Sequence, residues 1–179
     1  GTYKRNYSKG NKYDAKEEMS KALNLMQTQG VSSLSYKERK KLAYENKIEL
    51  VKKPGKNINK LLNGLGCNGN KKESIYEKKF IQKNVKIDNR PKVCSDFANC
   101  IDCEKSCLIE DVNSIYNLLS FKHSIEYGKN LYSSSATAAE KYTFLIKKID
   151  LWLSFVDEKV LAKAKNMIRV DGISKAWQL

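Results

Sequence analysis

Four of the five cysteines fall within one short run, Cys94-Ser-Asp-Phe-Ala-Asn-Cys100-Ile-Asp-Cys103-Glu-Lys-Ser-Cys107. Cysteines this close together bind one metal ion, pair as disulfides, or pack as thiols. An odd total in a lysine-rich chain of cytosolic type disfavours a disulfide framework. Zinc takes four thiolate or imidazole ligands in a tetrahedron, and two intervening residues let the sulfurs of Cys100 and Cys103 converge on one ion. Cys94 can reach round the same ion, and the fourth ligand must then come from Cys67, Cys107 or His123. The sequence therefore predicts a structural zinc ion in a small Cys-rich knuckle, with an iron–sulfur cluster or ordinary thiols as the weaker alternatives. A zinc with four protein ligands has no open position, so it would shape the loop and activate no water. Cys107 suits the first turn of a helix, but Leu108 and Ile109 follow it, so it reads equally as a buried core thiol.

Around this cluster the pattern is helical. Asp14 with Glu17 has the spacing of a capping box, and Met19, Ala22, Leu23 and Met26 share one face up to Gly30. Ser35 with Glu38 repeats the device, and a second helix is expected through Leu42, Ala43 and Leu50, ended by Pro54-Gly55. A turn or short helix is expected over Ile58 to Leu62, then a Gly/Asn-rich loop at residues 63–70 carrying Cys67. Val85 and Ile87 suit a short strand. Asp111 can cap a helix bearing Val112, Ile115, Leu118, Leu119 and Ile125, ending near Gly128. Ser133 to Ser135 open the longest pattern, with Tyr142, Leu145, Ile149, Trp152, Val156 and Val160 at helical spacing. Ser154 with Asp157 marks a break within it, and Asp171-Gly172 ends it. Such a stripe is core packing rather than a ligand site. The fold class expected is mainly α: a helical domain with a long C-terminal helix or antiparallel helix pair, and the zinc knuckle. The divisions are basic N-terminal helices at 1–62, a Cys-rich segment at 63–110 and a helical hairpin at 111–179, together one compact unit.

Charge separates the two halves. Residues 1–90 carry 22 basic side chains against 9 acidic, and residues 91–179 carry 12 against 11, within a net charge of +14. A basic half joined to a nearly neutral one suggests a polyanion-facing surface on one side. The densest stretch is Lys71, Lys72, Lys78, Lys79, Lys83, Lys86 and Arg90, with Tyr76 and Phe80 interleaved. These residues, with the basic face of 37–60, are the candidates for DNA phosphate contacts. No apolar run approaches the roughly 20 residues needed to span a bilayer, and no signal peptide is visible, so a cytoplasmic chain without a membrane partner is expected. The start at Gly1 is read as a piece of a longer protein.

The order of these features resembles one family. Gly66-Cys67, then the basic stretch, Cys94, Cys100 and Cys103, and then Asp111 through Leu118-Leu119 is similar to the region after the catalytic domain in large tyrosine recombinases, the phage-type integrases and transposases of bacterial mobile elements. The likeness covers roughly residues 60–130. It implies Cys67, Cys94, Cys100 and Cys103 as zinc ligands, with Cys107 extra, and DNA as partner. It also implies contact with a second protomer or with a catalytic domain. That family exchanges strands with a tyrosine nucleophile, several arginines, and a histidine or lysine. This chain departs from it: arginine occurs only at positions 5, 39, 90 and 169, and the single His123 lies in Phe-Lys-His-Ser-Ile without a nearby arginine. The charge set that phosphoryl transfer needs is missing. Tyr3 or Tyr7 could be a remnant of a nucleophile segment, but with 10 tyrosines in the chain chance explains them better. There is no phosphate-binding Gly-rich loop with Lys-Ser/Thr, no dinucleotide fingerprint and no His-Glu-x-x-His. No catalytic residues are assigned. The expected function is a non-catalytic, zinc-stabilised DNA-binding and assembly module of a site-specific recombinase, with a helical protein–protein interaction domain as the alternative.

Overall fold

The computed structural model describes residues 30–69 and 97–178. A single turn of 3-10 helix at Val31–Ser33 leads into helix α1, Tyr36–Glu45. The capping box expected at Ser35 and Glu38 is present: the Ser35 hydroxyl accepts from the Glu38 amide, and the Glu38 carboxylate accepts from the Ser35 amide at 3.0 Å. The bonds from the Ser35 hydroxyl and amide hold the Glu38 carboxyl below the usual carboxylate range. The helix is shorter than expected. The chain turns at Lys47, whose φ is 61°, and Leu50 belongs to a strand.

Among the described residues, four short strands and one short helix follow. β1 is Leu50–Val51, β2 Ile58–Lys60, β3 Leu65–Asn68 and β4 Ser106–Ile109; helix α2, Phe97–Cys100, lies between β3 and β4. The sheet order is β1-β4-β3-β2. β1 runs parallel to β4 with Leu50 opposite Leu108, and β3 runs antiparallel to both β4 and β2. The sheet corrects two sequence expectations, since Ile58–Leu62 was expected as a turn or helix and residues 63–70 as a loop. These strands are two to four residues long, and β2 and β3 carry Gly, Asn and Lys, so they lack the alternation that marks a strand. The sheet draws strands from both sides of residue 62. β4, at its centre, is buried along its whole length, with Cys107, Leu108 and Ile109 at 0% exposure. A strand covered on both faces reads as a continuous apolar run and shows no period.

The β2–β3 hairpin turns on Asn63 and Gly64. The Asn63 carboxamide accepts from the Leu65 amide at 3.1 Å and donates to the Phe97 carbonyl at 3.2 Å. Gly64 has φ +84°, and a Cβ there would lie 2.1 Å from the Ser114 carbonyl oxygen. The turn therefore rests directly on the backbone of the helix Val112–Leu131.

Three helices complete the chain: α3 at Val112–Leu131, α4 at Ala136–Ser154 and α5 at Glu158–Asp171. Asp111, Ser135 and Asp157 cap them through the amides of Ser114, Ala138 and Lys159. The segment expected as a hairpin is thus three helices, with the break falling at the Asp157 cap. α3 packs against both α4 and α5. It buries Ile115, Leu118, Phe121 and Ile125, and α4 buries Leu145, Ile149 and Trp152. Each large side chain fully buried in this way contributes about 1.5–3 kcal/mol relative to exposure. Lys122 ties α3 to α4 through Asp150 at 2.7 Å. Burial alone would lower the Lys122 pKa, but the bond to Asp150, with the Asp150 and Glu126 charges, holds it above the usual lysine value. Beyond α5 the chain folds back, and the Trp177 ring sits against Phe97 and Phe121 and donates to the Leu62 carbonyl at 3.1 Å. No described helix is long and apolar enough to cross a membrane.

Candidate nucleic-acid interface

α1 divides cleanly into two faces. Arg39 and Ala43 point inward and are buried at 2% and 0% exposure. At about 100° per residue, the opposite side carries Lys37, Lys40, Lys41 and Tyr44, at positions i, i+3, i+4 and i+7. All four are exposed, and Tyr44 stands out at 79%.

The inward face is fixed by charge. Arg39 donates to Glu110 in a buried ion pair, to the Phe155 carbonyl at 2.8 Å and to the Leu34 carbonyl at 3.1 Å. Glu110 also accepts from the Asp157 amide at 3.0 Å. α1 is thereby locked to the end of β4 and to the α4–α5 break, and its lysines are left facing out. Tyr36 makes a second link, donating to the Leu50 carbonyl and accepting from the Lys52 amide. The Lys52 ammonium lies 5.5 Å from the Tyr36 ring centre, a cation–π distance. Lys52, with the exposed Lys53 and Lys56 after it, continues the basic surface from the first turn of α1 into the β1–β2 connection. Lys60 ends the stretch, paired with Asp111 at 2.7 Å.

The zinc expectation is corrected. Among the described residues, no group of three or more His, Cys, Asp or Glu side chains could hold a metal ion. The register supplies a physical reason. Cys67 on β3 pairs with Ser106, whereas Cys107 pairs with Gly66. Side chains alternate faces along a strand, so Cys67 and Cys107 project from opposite sides of the sheet, and at most one of them can face any one ion. Cys107 is a core thiol at 0% exposure, its sulfur 2.5 Å from where a Gly66 Cβ would stand. Cys100 is buried with Ile101 in the apolar core, and Cys103 lies half-buried in the turn after α2. Cys94 lies outside the described residues. So do the basic residues Lys71, Lys72, Lys78, Lys79, Lys83, Lys86 and Arg90, the helix expected between Asp14 and Gly30, the strand expected at Val85 and Ile87, and Tyr3 and Tyr7.

His123 is exposed on α3. Arg169, near the end of α5, donates to Asn166 at 2.7 Å. An open groove between α3 and α5 is lined by Val112, Ala162, Lys163, Asn166 and Met167. Its polar lining is one lysine and one asparagine, without a nucleophile–base pair.

Sequence reasoning marked 37–60 as basic but missed Tyr44 and the inward turn of Arg39. The helical spacing of Lys37, Lys40, Lys41 and Tyr44 was the available signal for the first. Nothing local marks the second, because its partner lies 71 residues away. Compared with family models, curated proteins and solved structures, the chain matches none.

Proposed function

We propose that this chain is a non-catalytic DNA-binding and assembly module, of the kind that follows the catalytic domain in the large tyrosine recombinases it resembles, acting in DNA integration or recombination. One observation carries the reading: Lys37, Lys40, Lys41, Lys52, Lys53 and Lys56 are all exposed over one short stretch, on a helix and loop anchored from beneath. Lysines presented in this way neutralise backbone phosphates and release counterions, giving affinity with little sequence preference. The basic residues of 71–90 belong to the same reading. Arg39, spent on Glu110 and Phe155, takes no part in phosphate chemistry.

The test is binding of a short duplex of mixed sequence at low and moderate salt. Affinity should fall steeply, with a log–log slope of up to about −5 if all six lysines meet phosphates. Binding that ignores salt, or no binding, would overturn the reading.

A second reading is a helical protein–protein interaction domain, and the α3–α4 turn favours it. Tyr127, Leu131 and Tyr132 are 48%, 60% and 56% exposed there, and Tyr132 stacks on Tyr142. On that reading the lysine surface is only a solvated face. Replacing Leu131 and Tyr132 by Ser should then disperse an oligomer, and DNA should not bind at any salt concentration.

A further inference from the structure

We infer that the outward face of α1 grips unpaired, single-stranded DNA, with Tyr44 as a platform on which one base stacks and Lys37, Lys40 and Lys41 on the flanking phosphates. The inference deepens the DNA-binding reading and rests on it.

Tyr44 is the observation that a phosphate-binding surface alone leaves unexplained. Three other tyrosines among the described residues are used internally. Tyr36 bridges α1 to β1, the Tyr116 hydroxyl donates to the Gly172 carbonyl at 2.9 Å, and Tyr142 stacks on Tyr132. Tyr44 takes no part in the hydrophobic core and holds its ring in water at 79% exposure. Its helical neighbours at i−3, i−4 and i−7 are the three lysines, so the ring stands within a cationic surface. The four side chains share an arc of about 100° and span about 10 Å of helix axis. A single strand offers what that arrangement takes: phosphates for the ammonium groups and a free π-face for the ring. In a duplex each base is already stacked on its neighbours, and only base edges and backbone remain exposed. The ring then has nothing to stack on, whereas the lysines still find phosphates.

The presentation is rigid. The Ser35–Glu38 box closes the start of the helix, and the Arg39 fork holds its underside. Little ordering of the helix itself is left to be done on binding.

The experiment compares the full chain with Tyr44→Ala, Tyr44→Phe and the Lys37→Ala/Lys40→Ala/Lys41→Ala triple variant. The probes are a labelled oligothymidylate of about a dozen nucleotides and a mixed-sequence duplex of similar length. Far-ultraviolet circular dichroism and the melting temperature check that each variant is folded. Tyr44→Ala should weaken single-strand binding about tenfold or more and leave duplex binding nearly unchanged. Tyr44→Phe should bind like the parent, because stacking uses the ring and not the hydroxyl. The triple variant should weaken both and reduce the single-strand salt slope by about two. Salt-sensitive DNA binding that Tyr44→Ala leaves intact on both probes would overturn the inference while sparing the DNA-binding reading. Failure of the parent chain to bind either probe would overturn both. Loss of binding in Tyr44→Phe equal to that in Tyr44→Ala would assign the role to the hydroxyl and refute stacking.

Discussion

Arg39 and Glu110, separated by 71 residues, form a buried ion pair whose side chains are each 2% exposed. The guanidinium reaches both carboxylate oxygens, with Nη2 at 3.2 Å from Oε1, and also bonds the carbonyls of Leu34 and Phe155. The carboxylate takes the Asp157 amide as well, and the Asp157 carboxylate lies 3.5 Å from Nη2. One pair thus joins α1, the end of β4 and the α4–α5 break, and every partner it needs is in place.

Removing Arg39 leaves the buried Glu110 carboxylate without a cation, and removing Glu110 leaves the buried guanidinium only the longer contact to the Asp157 carboxylate at 3.5 Å. Arg39→Ala and Glu110→Ala should each lower the unfolding free energy by about 3–5 kcal/mol in urea denaturation. An Arg39→Met/Glu110→Leu double variant should lose less than the two single variants summed, because neither charge remains to be stranded. Single variants within about 1 kcal/mol of the parent would mean that water reaches the site and the pair is not a structural joint.

Three glycines form an internal comparison. Gly55 has open space around its missing Cβ and an ordinary φ, so Gly55→Ala should be neutral or stabilise by up to about 1 kcal/mol. Gly172 also has open space but φ 75° with ψ −167°, a region essentially restricted to glycine, so Gly172→Ala should cost about 1–3 kcal/mol from backbone strain alone. Gly64→Ala meets strain and the Ser114 carbonyl at 2.1 Å together, and should be the most damaging of the three. Thermal melts of the three variants give the order directly, and a Gly64→Ala variant no less stable than Gly172→Ala would show that the hairpin does not rest on α3 as described.

Asp111 sets an acid limb. Burial would raise its pKa, but the bond from Lys60, those from the Ser114 amide and hydroxyl, and the Lys60 charge together hold it below the ordinary aspartate value. A carboxyl lowered in the folded state adds stability that is present above about pH 4. That stability is lost as pH falls through the folded value. Asp111→Asn can still cap α3 but cannot titrate. Its stability curve below about pH 4 should be flatter than the parent's, and a curve parallel to the parent's would remove Asp111 as a source of acid sensitivity.

Trp177 joins the last turn to the body of the molecule. Its ring centre lies 4.7 Å from that of Phe121 and 5.6 Å from that of Phe97. Trp177→Ala should cost about 2–3 kcal/mol and weaken the near-ultraviolet dichroism of the aromatic cluster, and Trp177→Phe should recover part of both. An unchanged near-ultraviolet spectrum in the Ala variant would place the indole elsewhere in solution.

The sequence alone marked where α1, α3, α4 and α5 begin, because capping signals act within a single turn. Ser35, Asp111, Ser135 and Asp157 each cap through an amide two or three residues on, so a reader of spacing finds them. The stripe through Leu145, Ile149, Trp152 and Val156 names a buried face without any knowledge of what buries it. The sheet was decided only by tertiary structure. Strands of two to four residues carry too few positions to display a period, and they exist because β4 finds partners at 50–51 and 65–68. The same register decided the cysteines: spacing left Cys67 and Cys107 as alternatives for one ligand position, and pairing Cys67 with Ser106 and Cys107 with Gly66 sent the two sulfurs to opposite faces, Cys107 into the core. It was the fold, too, that turned Arg39 inward while Lys37, Lys40 and Lys41 stayed out. A run of basic residues looks uniform along the chain, and only a buried carboxylate brought from 71 residues away distinguishes the one that is structural from the three left free to face a polyanion.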